Sequence, residues 1–185
     1  MTNREFFIQT WGMETAVTQR LLNAIPENNI TYRPDPKARL AIELTAFVAG
    51  YAPLMLMLLE TGDIKAGPQA PPKSIKEAAG VFGAVLPKLE KALKGVDEKT
   101  WEQKIGNIYG PDGKMFQSAP IGMLVWATLF DLVHHRGLHD CRTNSVNWNS
   151  SCCPLWLKTL LANPSTNCAL CRSINQLIAT ITGIN

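Results

Sequence analysis

Residues 121–137 read IGMLVWATLFDLVHHRG, the longest apolar run with three-and-four spacing that also carries ionisable groups. That spacing demands a helix with one face turned to a core. It sets Asp131 and His135 one helical turn apart, with His134 between them, and it continues the same line back through Thr128 and Leu124. A carboxylate and an imidazole on a core-facing stripe are costly unless something satisfies them. The fold must therefore bring a partner to this helix.

Three partners are open. The two side chains can bond to each other near the helix C-terminus, where a protonated histidine is favoured. They can share a divalent metal, because a neutral imidazole and a carboxylate are both ligands for Zn²⁺, Ni²⁺ or Fe²⁺. They can act as a metal-free acid–base pair. Two ligands are few for a metal, and a third would come from a facing helix. His134 points about 100° away on a helix of 3.6 residues per turn and reads as a surface or outer-shell group. His139 lies past Gly137, and nothing in the sequence fixes its position.

The rest of the chain supplies the helices to face it. Residues 3–24 form a first helix, capped by Thr2 or Asn3 with Glu5 in the first turn, and present Phe6, Phe7, Trp11, Val17, Leu21 and Leu22 as an apolar face. Residues 26–36, with three prolines and two asparagines, are a loop. A second helix is predicted over 36–60, with Asp35 as N-cap, Pro36 at the first position and a kink near Pro53. Its stripe is Leu40, Leu44, Phe47/Val48, Tyr51, Met55 and Leu58, and Thr61-Gly62 closes it. Ser74 opens a third helix to residue 93, with Glu77 completing a capping box and Ile75, Ala79, Phe82, Leu86, Leu89 and Leu93 inward. Residues 100–105 are a helical turn or a strand fragment, and 109–113 a tight turn. The fourth helix is predicted from about 118 to 135, stopped by Gly137. No convincing period-two alternation appears. The fold class is all-α: a four-helix bundle over residues 1–137 with an irregular C-terminal tail over 138–185.

Charge and hydropathy exclude some functions. Residues 1–137 carry 15 Lys and Arg against 14 Asp and Glu, too balanced for a nucleic-acid footprint. No stretch reaches 18 charge-free apolar residues, so no membrane span is expected, and the run at 44–59 reads as a buried helix. The first residues show no apolar signal core, so the cytoplasm is the expected compartment. All five cysteines, 141, 152, 153, 168 and 171, fall in the last third. Their odd number argues against a disulfide framework, and the Cys168-x-x-Cys171 spacing is weak evidence for metal or redox chemistry.

Three stretches resemble the DinB/YfiT-like family of metal-dependent bundles: YRPDPKAR followed by ELTAFVA, then LLETGDI, then FDLVHHRG. The resemblance covers residues 1–137. It implies a four-helix bundle, often a homodimer, with a metal held by three side chains, mostly histidine. Two come from the last helix, four residues apart, and fall here on Asp131 and His135. The third comes from the middle of helix two and falls on Phe47, where relatives often read Trp-His and this chain reads Ala46-Phe47. Phenylalanine cannot ligate, so the implied site is incomplete. The resemblance also implies thiol transfer, or hydrolysis of a small amide or thioester. A catalytically silent bundle, used in dimerisation or in binding a small apolar ligand, is the alternative that Phe47 favours. Relatives continue HHRGQ, whereas position 138 here is Leu and the composition changes at the same point. The tail, 138–185, reads as the product of a reading-frame change.

Overall fold

The structure, a computed structural model, describes residues 1–33, 36, 39–65, 72–110 and 112–144, with side chains as far as Gly137 except Asn29. The expectations for Asp35, for Cys152, Cys153, Cys168 and Cys171, and for the tail beyond residue 144 lie outside the described residues.

Helix α1 spans Asn3–Ala24. Thr2 is its cap: the Thr2 hydroxyl accepts from the Glu5 amide at 3.2 Å, and the Glu5 carboxylate accepts from the Thr2 amide at 2.8 Å. Asn3 is thereby released from capping, and its Oδ1 accepts from the indole nitrogens of both Trp101 and Trp126, at 2.9 and 3.0 Å. Phe7, Trp11 and Leu22 are buried as expected, but Phe6 and Val17 are exposed. Thr15 and Thr18 are buried instead, each hydroxyl donating to a carbonyl of its own helix four residues back.

Helix α2 spans Ala41–Thr61, so it starts five residues later than predicted. Its first amides are already satisfied by the preceding loop: Ala41 N–H donates to the Tyr32 carbonyl at 2.8 Å and Ile42 N–H to the Ile30 carbonyl at 3.3 Å. Glu43 accepts from the Leu40 amide at 2.7 Å and satisfies one more. The helix runs on past Pro53 and ends at Gly62, whose φ of 84° is left-handed and whose N–H donates to the Leu58 carbonyl. By length and a mean hydropathy of 1.8 this helix would suffice to cross a bilayer, alone among the described residues. Here it packs against two other helices of the bundle.

Helix α3, Ile75–Gly95, is doubly capped. The Ser74 hydroxyl accepts from the Glu77 amide, while Glu77 reaches back one residue further than a capping box requires, to the Lys73 amide. Glu27, in a 3₁₀ turn over Glu27–Asn29, adds its carboxylate to the amides of Ile75 and Lys76. The predicted stripe is buried except Leu86, which is half-buried.

A short helix α4, Glu98–Gln103, leads into a three-stranded sheet that the sequence reading did not expect. Strand β1 (Asp63–Lys65) pairs parallel with β2 (Ile105–Tyr109), which pairs antiparallel with β3 (Met115–Pro120). The strands are three to six residues long. Gly106 occupies a buried position of β2 beside Ile108, so the alternation lacks an apolar signal there. The turn between β2 and β3 is the predicted one, closed by Gly110 and by Gly113 at φ 76°.

The last helix, α5, spans Ile121–Asn144. Ser118 is therefore in β3, opposite Asn107, and not in the helix. Gly137 does not stop it, since Gly137 is not among the glycines with positive φ and the helix continues for seven residues beyond. A helical glycine costs about 1 kcal/mol against alanine, which packing of the long helix overrides. The principal contacts run α1–α3, α3–α2, α2–α5 and α5–α1, which closes a four-helix bundle. The sheet and α4 join the end of α2 and α3 to the start of α5, with Asn107 N–H donating to the Gly62 carbonyl and Ile121 N–H to the Lys104 carbonyl.

Candidate functional site

The α2–α5 seam carries the ionisable groups. Asp131 and His135 point into it, with side chains only 14% and 7% exposed. Asp131 Oδ1 stands 3.4 Å from His135 Nε2, yet both atoms are buried without a hydrogen-bond partner. Thr128, on the same line of α5, is already satisfied, its hydroxyl donating to the Leu124 carbonyl at 2.7 Å.

The other carboxylate oxygen is engaged across the seam. Tyr51 of α2 donates its hydroxyl to Asp131 Oδ2 at 2.5 Å. Burial holds this phenol well above its ordinary pKa, and the charge and hydrogen bond of Asp131 add to the rise, against a smaller opposing effect of Arg39. Tyr51 is therefore a neutral donor across the physiological range. The sequence reading gave it only a place in the core stripe. The signal was present, because a buried tyrosine hydroxyl requires a partner and Tyr51 lies one turn from Phe47.

Phe47 stands where the resemblance expects a ligand. Its ring meets the His135 imidazole edge-on, with centroids 4.7 Å apart, and the Tyr51 ring at 5.3 Å. The Arg39 guanidinium covers its outer side, 4.6 Å from the centroid. His134 is half-buried beside His135, with ring centroids 5.1 Å apart. Desolvation lowers its pKa, the neighbouring His135 lowers it further, and Asp131 opposes both. Arg136, next along, takes no part in the seam. It pairs with Glu14 at 2.5 Å and donates to the Glu14 carbonyl and the Thr18 hydroxyl, fastening α5 to α1. The side chains of His139 and Cys141 lie outside the described residues.

Among the described residues no group of three or more His, Cys, Asp or Glu gathers around one point. What gathers is a buried carboxylate–imidazole pair at ion-pair distance. Bond lengths of roughly 2.1 Å set two ligands of a tetrahedral ion about 3.4 Å apart. The separation of Asp131 Oδ1 and His135 Nε2 matches that span.

No protein-family model matches the chain, and no curated protein matches it. Solved structures do. A DinB-like protein from Bacillus cereus ATCC 10987 is 19% identical with a TM-score of 0.61, the alignment covering 77% of this chain and 92% of that one. A DinB-like protein, YjoA, from Bacillus subtilis is 13% identical with a TM-score of 0.60, with the same coverage of each chain. At these identities the likeness shows the fold: the bundle is a DinB-like one.

Proposed function

We propose that Asp131 and His135 are the protein half of a divalent-metal site, for Zn²⁺, Ni²⁺ or Fe²⁺, in a bundle that carries out group transfer or hydrolysis on a small molecule. The observation that carries this reading is the buried pair Asp131 Oδ1 and His135 Nε2, 3.4 Å apart at ion-pair distance with no hydrogen bond between them. A neutral imidazole nitrogen and a carboxylate oxygen are both ligand types for such an ion, which could be shared between them. With Phe47 at the third position, the protein offers two ligands and leaves the remaining positions to donors from the small molecule. The ion would supply Lewis-acid activation of a carbonyl or a thiol. Within the protein, Asp131 and His135 hold, Phe47 and Tyr51 exclude water from the α2 side, and His134, kept toward its neutral form by burial, can accept a proton.

Phe47 favours a second reading, a catalytically silent bundle that dimerises or binds a small apolar ligand. Its ring fills the α2 side of the seam against His135. Metal content separates the two. The protein is purified without an affinity tag and assayed by elemental mass spectrometry, beside Asp131→Ala and His135→Ala. One equivalent of metal in the parent, lost in both variants, supports the metal site. No metal in any preparation and none gained on soaking supports the silent bundle.

The metal reading includes a homodimer in the cytoplasm, and dimerisation is one of the two roles of the silent bundle. An exposed aromatic row supports the dimer: Phe6 of α1 lies 5.7 Å from Trp126 of α5, which lies 5.5 Å from Phe130, and both Phe6 and Phe130 are exposed. The near balance of 15 basic and 14 acidic residues over 1–137 opposes nucleic acid as a partner. Sedimentation equilibrium of the parent and of Phe130→Glu tests the dimer.

A further inference from the structure

We infer that Tyr51 is a positioning residue for this site: its hydroxyl pins Asp131 Oδ2, so that Oδ1 alone is presented beside His135 Nε2. The inference rests on the metal reading above and assigns a role that neither the sequence pattern nor the fold supplies.

A terminal carboxylate turns readily about its last side-chain bond, and its two oxygens are equivalent until something distinguishes them. Unrestrained, Asp131 could turn either oxygen, or both, toward the imidazole one turn away. In the fold Oδ1 alone stands beside Nε2, at ion-pair distance, 3.4 Å, and without a hydrogen bond. Oδ2 is committed instead to the Tyr51 hydroxyl at 2.5 Å, a charge-assisted bond among the strongest available to these groups. Tyr51 is itself fixed. It is 5% exposed, and its ring packs edge-on against Phe47 at 5.3 Å and nearly parallel to His135 at 6.3 Å. The hydroxyl thus reaches Asp131 from a second helix, so the α2–α5 packing sets the carboxylate's rotation. Groups that hydrogen-bond a ligating carboxylate orient it and tune its basicity.

The test is the affinity of the full-length protein for Zn²⁺, by competition with a chelating indicator, in the parent and in Tyr51→Phe, which keeps the ring and removes only the hydroxyl. The expected result is a loss of about 10- to 100-fold in Zn²⁺ affinity. The visible absorption of the Co²⁺-loaded protein should change as well, because the carboxylate's presentation changes. The same pair of measurements in a Phe47→His background repeats the comparison where a third ligand raises affinity. A Tyr51→Phe protein with parental Zn²⁺ affinity and Co²⁺ spectrum, whatever its melting temperature, overturns the positioning role and leaves the metal reading standing. Failure of both the parent and Phe47→His to bind either ion overturns the metal reading, and this inference with it.

Discussion

The ring of Phe47 lies edge-on against the imidazole of His135, 4.7 Å between centroids, on the α2 side of the seam that holds Asp131 and His135. An imidazole at position 47 would begin from the same backbone and meet the same seam. Phe47→His should therefore bind Zn²⁺ more tightly than the parent. The gain should exceed the roughly 10- to 100-fold that an outer-shell partner is worth, because the new group is itself a ligand. Isothermal titration of the two proteins measures it. An unchanged affinity would mean that residue 47, though near His135, cannot converge with it on one ion.

Gly122 leaves no room for a Cβ beside the Trp101 indole. A Cβ at position 122 would overlap the Trp101 indole nitrogen and stand under 3 Å from two of its ring carbons. The indole cannot yield, being fully buried and tethered through its N–H to Asn3. Alanine would gain at most about 1 kcal/mol of helix propensity over glycine. Overpacking costs about 1–3 kcal/mol, more where the neighbour is rigid. Gly122→Ala should thus be less stable by about 1–2 kcal/mol, read as a lower urea midpoint with unchanged slope.

Why some of this was legible in the sequence and some was not follows from where each determinant lies. The caps at Thr2 and Ser74 were readable because donor and acceptor sit within three residues of each other. The inward faces of α2 and α3 were readable from spacing alone. The start of α2 was not, because Asp35 and Pro36 look like a helix start, while the amides that begin the helix are satisfied by the carbonyls of Tyr32 and Ile30. The sheet was missed because its strands are short and Gly106 stands at an inward position. At the site, Asp131 and His135 declared themselves as polar residues on an apolar stripe, and Phe47, inward by spacing, was tied to them only through the family resemblance. The hydrogen bond from Tyr51 crosses 80 residues of chain, so the need for a partner was legible but the partner was not.

Glu27 acts at a similar distance. From its 3₁₀ turn it accepts from the Ile75 amide at 3.1 Å and the Lys76 amide at 2.7 Å, two of the four amides that the start of α3 leaves unpaired. Its negative charge also suits that end of the helix dipole. Ser74 still caps the Glu77 amide without it, so α3 should fray rather than unfold. Glu27→Ala should cost about 1 kcal/mol, within the usual range for a lost cap. Amide hydrogen exchange should quicken at Ile75 and Lys76 and stay unchanged at Glu77; equal exchange at all three would refute the assignment.

Asp97 sets a pH dependence whose direction can be worked out. It is the N-cap of α4, and the Thr100 amide and then the Thr100 hydroxyl, bonding to its carboxylate, hold its pKa below the ordinary aspartate value of 3.8. Glu98 is lowered in the same way, first by Thr2 and then by Arg4, although burial works against it. A carboxyl that binds protons less readily in the fold than in the unfolded chain stabilises the fold above its unfolded pKa, and that stabilisation is lost as pH falls through the folded value. Asp97→Asn keeps a capping oxygen for the Thr100 amide, since asparagine caps as well as aspartate, but it cannot titrate. At neutral pH the variant should be slightly less stable than the parent, for want of the charge at the helix start. As pH falls below about 4 the parent should lose more stability than the variant, and the difference in urea midpoint should shrink toward zero. A difference that stays constant from neutral pH to about pH 3 would show that the Asp97 charge contributes nothing to the fold.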